Sequence, residues 1–196
     1  MSRLQIGIVG ASGYTGGELL RLLSQHPQVE VMQVTAGRNV GKFVHNVHPH
    51  LRGQLNLQFI ADEALQPCDV LFLALPHGQA QQSIEHYVTL APRIIDLSAD
   101  FRLRNPADYA TTYAHEHHAP TWLDRFVYGL PEINRQALSG ANYVSGVGCN
   151  ATATTLALWA LVKAGILKAD QPIFADIKVG SSEAGSTPTP ASHHPA

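Results

Sequence analysis

Apolar residues in this chain come in short blocks, and the blocks alternate between strand-like and helix-like spacing. Leu4 to Val9 is an apolar run of strand length that ends in glycine, and Gly17 to Leu23 carries a helical pattern that stops near "HPQ". "VEVMQV", Val29 to Val34, predicts a second strand, "DVLFLALP", Asp69 to Pro76, a third, and "RIIDLS", Arg93 to Ser98, a fourth. Helix-like "GQAQQSIEHYVTLA" lies between the last two. After "DFRLRNPADY" the chain reads as loop-rich until "NYVSGVGCN", where a further strand leads into Cys149 and a helix runs to about Gly165. "PIFADIKVGSS" predicts the beginning of another strand, before the proline-rich "STPTPASHHPA". Strands alternating with helices predict an α/β fold with right-handed crossovers and a parallel sheet. There is no internal repeat and no long low-complexity tract.

Composition narrows the class. Of 196 residues, 45% are hydrophobic and 14% charged, with a net charge of −2, which is a soluble globular balance with length for one domain and part of another. No basic segment precedes a long apolar one, so neither a signal peptide nor a membrane span is expected. The two cysteines, Cys68 and Cys149, lie far apart without framework spacing, as suits a reducing cytoplasm. Charges of both signs are interspersed, and nucleic acid is not an implied partner.

The first motif with chemistry is "GIVGASGYTGGE", where Gly10, Gly13 and Gly16 follow the first strand and open the first helix. Glycine lets backbone approach a pyrophosphate, and the helix start offers unpaired N–H groups. Strand, glycine turn and helix in that order predict a Rossmann-type dinucleotide site that includes Ser12, Tyr14 and Thr15, although the spacing G-x-x-G-x-x-G differs from the usual G-x-G-x-x-G. The competing reading is a purely structural turn. The second strand ends in "VTAGRNVGK", with Thr35, Ala36, Gly37 and Arg38 where an NAD site carries an acid, and no acid follows until Asp62. A hydroxyl and a guanidinium suit the 2′-phosphate of NADP, the alternative being an ordinary solvated arginine. Gly41 and Lys42 do not form a phosphate loop, since Ala36 and Phe43 stand where glycine and Ser or Thr belong.

Cys149 sits behind Gly146 and Gly148 and in front of a helix. A helix N-terminus stabilises a thiolate, and the glycines leave a carbonyl room to approach, so Cys149 is the candidate nucleophile. The alternative is a small residue filling a strand–helix junction, a description that Cys68 fits. His45, His48 and His50, and likewise His115, His117 and His118, cluster in loops without ligand spacing or the i, i+4 geometry of H-E-x-x-H, so no metal site is expected.

Taken together, "GIVGASGYTGGELLRLL", "FLALPHG", "IDLSADFRL", "YGLPE", "GCNATAT" and "TPASHHP" resemble the N-acetyl-gamma-glutamyl-phosphate reductase family over essentially the whole chain. "HPHLRG", "GCNATAT" and "ASHHP" are more similar to its branch that acts on an amino-group carrier protein than to the acetylated-glutamate branch. The resemblance implies NADPH-dependent reduction of an aminoadipyl or glutamyl phosphate to a semialdehyde through a Cys149 thioester, in lysine or arginine biosynthesis. It implies a small acyl-phosphate substrate presented on an acidic carrier protein, and a homo-oligomer at full length. It also implies a dinucleotide domain over 1–148, followed by the beginning of an α+β semialdehyde-dehydrogenase-type catalytic domain over 149–196. "LALPHG" and "DLSADF" follow strands at the sheet's carboxyl edge, so Leu75, Pro76 and Ser98 are expected cofactor contacts, with loop packing as the alternative. Ser181, Ser182 and Glu183 resemble the family's substrate-side segment. The family continues past "ASHHPA" to a Gly-His-Arg-His segment bearing its general acid/base, for which His193 and His194 are no substitute by motif. The chain is therefore expected to be truncated, with poor solubility and little turnover alone. The acetylated-glutamate reductase, a catalytically inactive NADP-binding fragment and an aspartate-type semialdehyde dehydrogenase stay open as alternatives.

Overall fold

A computed structural model describes residues 2–168 and 170–185. The chain divides into two compact units, Met1–Gly146 and Val147–Ala196.

The first unit is built on a seven-stranded sheet. In chain order its elements are β1 (Leu4–Val9), α1 (Tyr14–Leu23), β2 (Val29–Thr35), the short α2 (Val44–Val47), β3 (Phe59–Ile60), β4 (Val70–Leu73), α3 (Ala80–Leu90), β5 (Arg93–Asp96), α4 (Pro106–Tyr113), β6 (Val127–Tyr128), α5 (Pro131–Leu138) and β7 (Tyr143–Ser145). The sheet order is β3-β2-β1-β4-β5-β7-β6, and every pairing is parallel. Register lines Val9, Leu73, Asp96, Ser145 and Tyr128 in one row. The loops that follow these strands therefore leave from a single carboxyl edge.

Alternation along the strands sorts side chains onto two faces. Ile6, Ile8 and Val70 join Leu20 of α1, Val31, Val34 and Phe59 in one buried cluster. Val9, Leu71, Leu73 and Ile94 join Ala80, Ile84 and Tyr87 of α3 in the other. Helices thus cover both faces, as a buried parallel sheet requires.

The region after Tyr109, expected to be loop-rich up to Asn142, is structured. Phe101, Trp122, Leu123 and Phe126 extend the α3-side cluster, with the Phe101 and Phe126 rings stacked at 4.0 Å. Its apolar residues are too widely spaced to register as a periodic run, yet they reach one core. Two predicted strands are shorter than expected. β4 ends before Pro76, which has no N–H for a ladder, and after β5 the Ser98 amide turns to the Asp96 carboxylate at 3.1 Å. α1 starts earlier, at Tyr14, because Gly13 takes the extended N-cap conformation.

In the second unit, α6 (Cys149–Lys163) opens after Gly148 and closes on Gly165 with φ +70°. Gly165 donates to Val162 O and Ile166 to Leu161 O, both at 3.0 Å, the bond pair of a Schellman stop. The strand expected over 172–182 does not form. Residues 172–180 have no regular structure, and Ser181–Ala184 make a single 3-10 turn. A strand needs a neighbour for its N–H and C=O groups, and no described residue of this unit pairs with it.

Two glycines of the first turn make opposite predictions. A Cβ on Gly16 would meet the Ala11 backbone at 2.5–2.7 Å, whereas one on Gly13 would meet nothing within 4 Å. Gly16→Ala should cost roughly 1–3 kcal/mol in urea denaturation, the usual range for overpacking, and Gly13→Ala less than about 0.5. Equal losses would show that the β1–α1 contact does not set the turn.

Candidate dinucleotide site and thiol

At the end of β1 the backbone turns at Gly10 with φ +75°, a conformation that favours glycine. A Cβ there would strike Ala74 O at 2.5 Å, so the turn lies against the loop after β4. The Gly10 amide donates to Thr35 Oγ1 at 3.3 Å, and the Ala11 amide to Thr35 O at 2.8 Å. Thr35 is fully buried, so its hydroxyl braces the turn and is not presented to a ligand, a correction to its expected role. His48, also expected to be without a site role, is a second brace. Its Nε2 bonds to Ala11 O at 2.9 Å, and its ring occupies the place a Cβ on Gly17 would need.

Beyond the turn, Ser12, Gly13, Tyr14, Thr15 and Gly16 pass into α1, whose N-cap Gly13 makes no side-chain cap. First-turn amides have no acceptor within a helix, and the open space at Gly13 leaves them approachable. A phosphate fits such an end by hydrogen bonding and by the helix dipole. Tyr14 is exposed, as are Gly37 and Arg38 just past β2, while Ala36 is buried. Of the expected 2′-phosphate set, only Gly37 and Arg38 face solvent.

Two loops complete the edge. After β4 come half-buried Leu75 and exposed Pro76 and His77. After β5, Asp96, Ser98 and Asp100 form a buried ladder. Ser98 Oγ donates to Asp96 Oδ2 at 2.7 Å and accepts from the Asp100 amide at 3.1 Å. Asp100 accepts from Gly78 N at 2.6 Å and Gln81 N at 3.0 Å, at the start of α3. Ser98, expected at the cofactor, is buried with its hydroxyl already engaged, so it supports the edge instead. His117 is buried too. Its Nδ1 accepts from Ala119 N at 3.0 Å and its Nε2 donates to Asp100 O at 2.9 Å, while burial holds its pKa below the ordinary value. Its neighbour His118 gives a backbone amide to Gln81 Oε1 at 2.7 Å. Among the described residues no group of three His, Cys, Asp or Glu is arranged around a metal position. No sequence pattern marks His48 or Gln81, whereas the alternation Asp96, Ser98, Asp100 after an apolar strand was a readable sign of buried carboxyls.

In the second unit, Cys149 is exposed at the first position of α6. Its thiol donates to Glu183 Oε1 at 3.3 Å, and Asn150 Nδ2 donates to the same oxygen at 2.8 Å. The structure thus brings Glu183, which shares a 3-10 turn with Ser181 and Ser182, to the thiol. His193 and His194 lie outside the described residues.

A family model described as the NAD-binding domain of semialdehyde dehydrogenase matches residues 5–141, and one described as its dimerisation domain matches 149–196. The chain belongs to the semialdehyde dehydrogenase family. Within it, a Thermomicrobium roseum protein provisionally named LysW-L-2-aminoadipate 6-phosphate reductase is 51% identical, covering 98% of this chain and 54% of its own length. A LysW-L-2-aminoadipate/LysW-L-glutamate phosphate reductase of Saccharolobus solfataricus is 44% identical, covering 98% of this chain and 55% of its own. A LysW-L-2-aminoadipate 6-phosphate reductase of Deinococcus radiodurans is 46% identical over 97% and 54%. The chain spans about half the length of the curated relatives it matches. Among solved structures, aspartate semialdehyde dehydrogenase II from Vibrio cholerae superposes with a TM-score of 0.62 at 15% identity, over 84% of this chain and 44% of that one. The Candida albicans enzyme, solved with NADP, gives 0.56 at 16%, over 84% and 48%. These share the semialdehyde dehydrogenase fold. No helix among the described residues is long and apolar enough to cross a membrane.

Burial pushes the Asp96 carboxyl up to about 7, and nearby Asp100 adds to the rise, against the Ser98 hydrogen bonds and Arg102. An unfolded aspartate releases its proton near pH 4, so across roughly pH 4–7 the folded state keeps a proton that the unfolded state has lost. The contribution of Asp96 to stability is therefore full below about pH 4 and is lost as pH rises through about 7. Urea titrations at pH values between about 5 and 8 should show stability falling as pH rises, with Asp96→Asn flattening the fall. Parallel curves for the two proteins would contradict the assignment.

Proposed function

We propose that this chain supplies the NADP-binding and thiol-bearing parts of an acyl-phosphate reductase. The acyl group would be 2-aminoadipyl or glutamyl, presented on an acidic amino-group carrier protein, in lysine or arginine biosynthesis. The observation that carries this reading is the exposed Cys149 thiol at the first position of α6, in a chain whose preceding domain matches the family's NAD-binding model. The relatives' names support the carrier-linked substrate. Two unpaired cysteines, one of them exposed, support a reducing, cytoplasmic setting. The match to a dimerisation model supports a homo-oligomer.

The uncapped start of α1 would hold the pyrophosphate, and Arg38 would take the 2′-phosphate that distinguishes NADP from NAD. When bound, the reduced cofactor supplies hydride. Cys149 supplies the other half of the chemistry. Its sulfur attacks the acyl carbon, a C–S bond forms, the bond from that carbon to the phosphate oxygen breaks, and phosphate leaves with the electron pair. Glu183, already hydrogen-bonded to the thiol, is placed to receive its proton. The resulting thioester would accept hydride at its carbonyl carbon more readily than a carboxylate would; the C–S bond of the hemithioacetal so formed then breaks, releasing the semialdehyde, and the sulfur takes back the proton held by Glu183.

Incubation with an acyl phosphate should release phosphate and leave an acyl adduct that mass mapping places on Cys149, absent in Cys149→Ser. An adduct elsewhere, or none, would refute the nucleophile. Alkylation at neutral pH should favour Cys149 over Cys68, which is half-buried and whose thiol burial pushes up. Arg38→Ala should weaken NADP binding by roughly 1.5–3 kcal/mol and leave NAD binding nearly unchanged by calorimetry. Equal losses for the two would end the selector assignment.

A further inference from the structure

The loop between β4 and α3 carries an exposed side chain with no role so far. His77 stands one residue past Pro76, and its Nδ1 accepts from the Ala99 amide at 2.8 Å. That bond fixes the ring and leaves the proton of the neutral imidazole on Nε2, for which no described residue provides an acceptor. The loop beneath it is held firmly. Ala74 N donates to Val9 O at 2.8 Å, and Gly78 N and Gln81 N both donate to the Asp100 carboxylate, at 2.6 and 3.0 Å. His77 is therefore a single N–H donor presented in a fixed direction at the carboxyl edge of the sheet.

The topology says which part of a ligand it meets. With the order β3-β2-β1-β4-β5, strand sequence reverses between β1 and β4, and a dinucleotide in such a sheet straddles that point. Arg38 follows β2 on one side, where the adenosine half belongs, and His77 follows β4 on the other. Gly10, pressed against Ala74 and Leu75, joins the two halves of the edge. We propose that His77 Nε2–H donates a hydrogen bond to an acceptor oxygen on the nicotinamide half of the bound dinucleotide. This rests on the dinucleotide reading above.

Calorimetry on the full chain, with NADP and with adenosine 2′,5′-bisphosphate, which lacks the nicotinamide half, tests it. His77→Ala should weaken NADP binding roughly three- to tenfold and leave the bisphosphate unchanged, the loss expected for one neutral hydrogen bond. Glutamine places an amide N–H near the Nε2 position, and asparagine places its oxygen near Nδ1. His77→Gln should accordingly retain NADP affinity within about twofold, whereas His77→Asn should behave like alanine. Unchanged NADP affinity in His77→Ala, equal losses for both nucleotides, or rescue by asparagine and not glutamine would each overturn the proposal. The last result would assign His77 to holding the Ala99 loop. If the unsubstituted chain binds neither nucleotide, the dinucleotide reading falls with it. If it binds both and His77→Ala is silent, this inference alone fails.

Discussion

One buried carboxylate holds the nucleotide edge together. Asp100 is fully enclosed, yet it meets a cluster of donors: the amides of Gly78 and Gln81 at the start of α3, where the N-cap Gln79 offers no side chain of its own. A helix start is one of the few places where a buried carboxylate is compensated without a basic partner, because the amides are unpaired there and the dipole is favourable. The rest of the residue is used as well, its amide donating to Ser98 Oγ and its carbonyl accepting from His117. The loop after β4, the loop after β5 and the segment around His117 are thereby fixed to one point. Asp96 has no helix end to face, and its carboxyl is driven up to about 7 by burial. Two carboxyls four residues apart thus have different partners, one the amides of Gly78 and Gln81 and the other mainly Ser98.

The glycine turn obeys a different constraint, that of approach. Gly10 and Gly16 are glycine because backbone atoms of Ala74 and Ala11 stand where a Cβ would be. Gly13 is not confined in this way, and the space left there opens toward the unpaired amides of α1. Close packing therefore accounts for two of the three motif glycines, and only the third leaves room for a ligand. Thr35 and His48 complete the turn from behind, one from β2 and one from the loop after α2.

These distinctions show how far the sequence could be read. Leu4–Val9 and the glycine turn were legible because apolar length and glycine spacing are local signals, and a strand buried on both faces reads as a near-continuous apolar run. Structure between Tyr109 and Asn142 was not, because Trp122 and Phe126 join Phe101 in one core from separated positions and leave no periodic trace. The site divided in the same way. Residue type pointed to Thr35 and Ser98 as ligand groups, since a hydroxyl at a strand end looks alike whether it faces solvent or core, and burial decides between them. The strand expected over 172–182 had the right alternation, but pattern specifies only a face, and a ladder also needs a neighbour.

The two cysteines make the same point about chemistry. Cys68 gives its thiol to Val70 O at 3.4 Å beside Gly7 and lies half-buried at the foot of β4, where burial favours the neutral form. Cys149 stands on the first turn of α6, where a helix offers unpaired N–H groups, and its neighbour in space is a carboxylate shared with Asn150. In the proposed reaction that carboxylate provides a destination for the thiol proton. Such an arrangement depends on Glu183 staying within reach of α6, yet its 3-10 turn follows a stretch without regular structure in which Phe174 is 95% exposed. A helix apolar on every side, with no buried residue of its own, gains most of its stability from whatever packs on it. Covering α6 and the 173–179 segment would then do more than remove apolar surface from water: by fixing the path into the Ser181–Ala184 turn, it would fix the distance between carboxylate and thiol on which the proposed proton transfer depends.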